Sequence, residues 1–107
     1  MTITATQKNA FQPGKRASGA HLDSAGTPAA ITLTLGFTPS HVVMVNVTTI
    51  QRQEWFTGMG AADAFKTVNH DTAQQSLITS GGITVSGGTV TLPAPAQNDQ
   101  VYWYAEE

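Results

Sequence analysis

The hydrophobic pattern is strongest between Val42 and Val47, where Val42, Val43, Met44, Val45 and Val47 are interrupted only by Asn46. An apolar run rich in β-branched residues predicts a strand covered on both faces, here over 41–49. The turn residues Gly36, Thr38, Pro39 and Ser40 lead into it. Thr48-Thr49-Ile50-Gln51-Arg52 then reads as a polar connection to a second strand at 52–57, around Glu54-Trp55-Phe56, closed by Gly58 and Gly60. The pair predicts a hairpin at the centre of an all-β domain.

Shorter elements flank it. Ile31, Leu33 and Leu35 alternate with threonines, the mark of a half-buried strand. Ala61 to Ala64 holds one helical turn at most. Phe65 to Val68 reads as a strand turned by Asn69-His70-Asp71. Leu77-Ile78-Thr79, Ile83-Thr84-Val85 and Thr89 to Leu92 read as three more. Ser80-Gly81-Gly82 and Ser86-Gly87-Gly88 separate them, and Gly-Gly pairs predict tight hairpins. Val101 to Ala105 is an aromatic closing strand, and Thr2 to Thr6 a weak one. Residues 9–30 show no periodicity. They read equally well as an arm ordered on a partner or as an irregular loop packed on its own domain. The expected architecture is a single-domain β-sandwich or jelly-roll-like barrel over 31–107, preceded by an extended N-terminal segment, 1–30.

Composition narrows the function. Only 11% of the 107 residues are charged against 40% hydrophobic, so Thr, Ser, Gln and Asn must cover the surface. That suits a β protein in lasting contact with other protein. A net charge of −2 with five Lys and Arg leaves no basic footprint for nucleic acid. The chain has no cysteine, hence no disulfide framework or thiolate metal site. No run approaches the ~18 apolar residues of a membrane span, and Met1 to Lys8 lacks the apolar core of a signal peptide. The protein is expected to be made and used without Sec export.

Candidate chemistry is sparse. His21 and His70 have Asp23 and Asp71 nearby, but none of the three histidines (His41 included) shows the spacing of a zinc site on one element. Loop histidines are the favoured reading. Gly58-Met59-Gly60 opens like a dinucleotide fingerprint but lacks the third glycine and the helix, so it reads as a turn. The Asn46-Val47-Thr48 sequon falls inside the strongest strand. Glu54 is a lone carboxylate, expected to face solvent or pair with Arg52, and cannot supply the two carboxyls of glycosidase chemistry. Trp55, Phe56, Tyr102, Trp103 and Tyr104 read as core or oligomer contacts, with a sugar-binding surface as the rival. No catalytic, metal or cofactor set is expected.

Taken in order, Gly36-Phe37-Thr38-Pro39, Val42 to Asn46, Glu54-Trp55-Phe56-Thr57-Gly58-Met59, Ala64 to Val68 and Gly82-Ile83-Thr84-Val85 resemble small structural proteins of tailed-bacteriophage virions, of the capsid decoration or cement type. The resemblance spans residues 35–86. It implies a β-sandwich or jelly-roll-like domain on the capsid surface, a homodimer or homotrimer that clamps major capsid protein subunits and catalyses nothing. Under that reading Phe11, Lys15, Arg16 and His21 are the candidate capsid contacts, since three of the five basic residues lie in the first 16. Alternatives are another virion component (tail, fibre or head–tail connector) and a carbohydrate-binding β module.

Overall fold

The computed structural model describes residues 14–22, 29–69 and 73–107. It is all-β. Among these residues the elements are β1 (Arg16–Leu22), β2 (Ile31–Thr34), β3 (His41–Asn46), β4 (Gln51–Phe56), β5 (Asp63–Asn69), β6 (Ala73–Ser86), β7 (Thr89–Leu92) and β8 (Gln100–Glu106). Every pairing is antiparallel, in the order β1-β8-β3-β4-β5-β6-β7-β2. The result is one open sheet curled into a half-barrel.

β3 is central, as its pattern predicts. Val42 and Val43 point to opposite faces and both are fully buried. Register fixes the two faces of the sheet. Val42 lies between Trp55 and Ala105, and Met44 between Gln53 and Trp103. These side chains line the concave side. There Val42, Met44, Trp55, Val101 and Ala105 pack against Ile83, Val90 and Leu92, with Ile31 and Leu33 of β2 against the same core. The alternation of β2 is therefore real, with its threonines outward.

β3 ends at Asn46, short of the expected 49. The Asn46 carboxamide oxygen accepts the backbone N–H of Thr48 and of Thr49, each at 3.1 Å, and closes the turn. Its Nδ2 donates to Asp99 Oδ2 at 2.9 Å, and Asp99 Oδ2 also accepts the N–H of Ala96. Both partners are buried, so this sequon asparagine is a structural tie between two loops.

Three expectations need correction. Ser80-Gly81-Gly82 is not a hairpin: β6 runs straight through it. Its first part pairs with β5 and its last with β7, so Gly81-Gly82 is the corner at which the sheet curls. Gly81 takes φ +74°, and a Cβ on Gly82 would lie 2.6 Å from the Ala62 carbonyl oxygen. Periodicity cannot tell such a corner from a turn, because both need glycine. Ala61 to Ala64 is no helical turn either; Ala62 has φ 62° and β5 begins at Asp63. Residues 16–22, inside the aperiodic stretch, form edge strand β1 on β8. Its small residues hid it, and Gly19 is needed because the Trp103 ring lies where a Cβ would be, 2.8 Å away. The Gly87-Gly88 hairpin is present as expected, with φ 58° at Gly87. The Asn69-His70-Asp71 turn and the Thr2 to Thr6 strand are not covered by the described residues.

Candidate functional site

The outward side chains of β1, β8, β3, β4, β5 and β6 make a second, largely uncovered face. One row across it reads Ser18, Tyr104, Val43, Glu54, Phe65, Leu77; the next reads Ala20, Tyr102, Val45, Arg52, Thr67, Gln75. Leu22, Val47, Ile50, Phe56, Phe65, Leu77 and Tyr102 are all exposed, Leu77 to 62%. Summed over these seven side chains the apolar exposure is on the order of 600 Å², interrupted by Arg52, Glu54 and Thr67.

The patch has relief. Tyr102 and Tyr104 stand up from β8 between small residues, Ser18 and Ala20 on one side and Val43 and Val45 on the other. They bound an apolar groove of about 440 Å³. A second hollow, about 270 Å³, lies between Val45, Val47, Ile50, Arg52 and Thr67. Ile50 holds φ 56° at its rim, a conformation that costs a β-branched residue energy and keeps its side chain in solvent.

The face carries one polar cluster. Glu54 Oε1 accepts from Arg52 Nε at 2.9 Å, as expected from their shared side of β4. Its Oε2 lies 3.3 Å from His41 Nε2. His41 stacks on Phe56 with centroids 4.6 Å apart and meets the Tyr104 ring edge-on at 5.7 Å. The group neutralises its own charge among rings. Pairing internally, it lowers the cost of removing water from the face.

The predicted residues divide cleanly. Trp55 is core and Trp103 packs against that core, while Phe56, Tyr102 and Tyr104 stand on the outer face. Of the candidate contacts, Phe11 falls outside the described residues. Lys15, Arg16 and His21 are exposed, but Arg16 and His21 sit at opposite ends of β1 and on opposite faces, so the strand does not gather them. His21 lies on the concave side and Arg16 opposite Glu106. Leu22, Phe65, Leu77 and His41 were missed as face residues. Only the register that aligns them could have revealed it.

Gly58 to Asp63 is a turn, as read: Asp63 Oδ2 accepts the Gly60 N–H at 2.9 Å. Among the described residues no three His, Asp or Glu side chains gather as a metal site, and no helix is long and apolar enough to cross a membrane. Comparison with protein-family models, with curated proteins and with solved structures finds no match for this chain.

Proposed function

We propose that this chain is a structural binding module of a bacteriophage virion, a capsid decoration protein that docks on major capsid protein subunits and staples neighbours together. The observation that carries the reading is the outer face, which spreads exposed apolar side chains over six strands around the Arg52–Glu54–His41 cluster and has no covering layer among the described residues. A standard protein interface takes about 800 Å² per side, which the exposed apolar side chains and the polar residues between them reach. The face is built largely from β3 to β6, the part of the chain that resembles virion proteins. The sandwich or jelly-roll character of that resemblance belongs to the same proposal: β2 and β7, folded back over the concave side, supply its second layer.

Stapling works by mass action. A protein that binds only the assembled shell stabilises it by its own binding free energy, repeated at each lattice position. Twofold or threefold self-association would let one unit engage neighbouring subunits.

The test is co-sedimentation with expanded, undecorated capsids of the phage that encodes the chain. Wild-type protein should saturate the particles at a copy number set by the lattice and raise their disruption temperature. A Phe56→Ser/Tyr102→Ser variant, altered only at exposed positions, should stay in the supernatant with an unchanged circular dichroism spectrum. Wild-type protein that does not sediment, or does so at a few copies per particle, would sink the stapling role. Undiminished binding of the variant would remove the outer face from it, and Lys15→Glu/Arg16→Glu would then test the β1 end.

A further inference from the structure

The concave face is not apolar throughout. Past Met44 and Trp55 it turns polar: Asn46, Gln51, Gln53 and Lys66 all face inward by register, with Gln53 directly opposite Lys66. They border a cleft of about 180 Å³ whose wall is completed by Met44, Pro93 and Pro95.

Two of these side chains are poorly served by the fold. Lys66 is half-buried and makes no ion pair among the described residues. Gln53 is only 8% exposed. Its Nε2 reaches the Gly81 carbonyl at 3.5 Å, too long to hold the amide firmly, and its covered Oε1 has no hydrogen-bond partner among the described residues. An acceptor left this way is costly. Packing alone would favour an apolar residue in place of Gln53. A site that lacks one anion and one N–H donor accounts for the pair together.

We infer that this cleft binds the C-terminal carboxylate of a polypeptide. The Lys66 ammonium takes the carboxylate, and Gln53 Oε1, turned about its soft terminal torsion, accepts the backbone N–H of the last residue. Cross-strand neighbours hold their Cβ atoms about 5 Å apart, a separation that suits the two groups of one terminal residue. Met44, Pro93 and Pro95 offer an apolar wall to its side chain. A free amino acid fits less well, because its ammonium would replace the neutral N–H a few ångströms from Lys66. The cleft lies on the opposite side of the sheet from the outer face, so its test is independent of the reading above.

The full-length chain, uniformly ¹⁵N-labelled, is titrated with acetyl-Ala-Ala-Ala bearing a free carboxylate, with the same peptide as its C-terminal amide, and with sodium acetate. The free acid should give saturable shifts at the Gln53 side-chain amide, Lys66 and Gly81 in the millimolar range. The amide should bind at least tenfold more weakly, as should the free acid to Lys66→Met, while Lys66→Arg retains binding. Equal binding of acid and amide, undiminished binding to a folded Lys66→Met, or no shift with the acid at about 20 mM would each overturn the proposal. Acetate shifting the same signals with the same midpoint would reduce the site to a bare anion site and remove the Gln53 role. If Lys66→Met fails to fold, the acid–amide comparison on the wild-type chain decides.

Discussion

Gly82→Ala is the sharpest test of how the sheet curls. Gly82 sits where β6 leaves β5 for β7, beside the register shift between Asp63 and Ala64. An added Cβ would lie 2.6 Å from the Ala62 carbonyl oxygen and 2.6 Å from the Asp63 carbonyl carbon. Ordinary contact begins near 3.4 Å, so something must move by most of an ångström. The obstacle is backbone, which cannot rotate away as a side chain does. The same strand segment is tied by the Gly82 N–H to the Ala62 carbonyl at 3.0 Å, a bond that the shift would stretch. Overpacking costs ~1–3 kcal/mol where side chains can adjust, so a clash with fixed backbone belongs at the upper end, about 3 kcal/mol. For a domain of this size that lowers Tm by roughly 12–20 °C. Gly36→Ala is the matched control, since nothing lies within 4 Å of its Cβ position and its φ is not positive. It should be neutral or stabilise by about 0.5 kcal/mol, through the unfolded chain. Urea unfolding followed by tryptophan fluorescence gives both values. A Gly82→Ala protein within about 0.5 kcal/mol of wild type would refute the backbone corner and with it the folding of β7 over the core.

Further outcomes follow from particular contacts. Asn46→Ala removes the acceptor for two turn N–H groups and leaves buried Asp99 with the Ala96 N–H but without its side-chain donor, so it should cost about 3 kcal/mol in urea unfolding. The Trp55 indole N–H is buried without a partner among the described residues; Trp55→Phe removes it, and the relief should hold the net loss to about 1 kcal/mol, measured as Tm. Leu77→Ser and Phe65→Ser change exposed outer-face positions. Their unfolding midpoints should stay within the equivalent of about 0.5 kcal/mol of wild type, while the proposed capsid docking, read by co-sedimentation, falls. Removing residues 1–22 takes β1 with it and uncovers Trp103 and one edge of β8. That truncation should lower the unfolding midpoint or aggregate, whereas intact stability would mean that β1 contributes nothing.

The strands that alternation or unbroken apolar character defines were legible in the sequence: β2 from Ile31 and Leu33, β3 from its valines, β8 from its aromatic run. So was the Arg52–Glu54 pair, because residues two apart on a strand share a face. What was hidden depends on pairing. Gly81-Gly82 reads like Gly87-Gly88, yet one is a bend inside a strand and the other a hairpin, and only the partners of β6 separate them. β1 has the composition of a loop; Gly19 and Ala20 earn their places only against Trp103 and Tyr102 across the strand pair. The outer face was hidden for the same reason. Leu77, Phe65, Val43 and Tyr104 are scattered along the chain and meet only once five strands are in register. Lys66 falls inside the predicted 65–68 strand with nothing to mark it, and only the register sets it opposite Gln53.

The order of the strands has a consequence for how the chain is made. Arg16 pairs with Glu106, and Ile31 with Leu92, so β1 and β2, the first strands among the described residues, find their partners in the last two. Among the described residues β8 is also the only link between β1 and β3. Until β8 has been made, the middle hairpins can form but β1 has nothing to pair with and the central strand keeps one bare edge. A topology so rich in distant pairings is slow to fold. β8 thus serves as a completeness check: a product that stops before Gln100 is left with an open seam through the middle of its sheet.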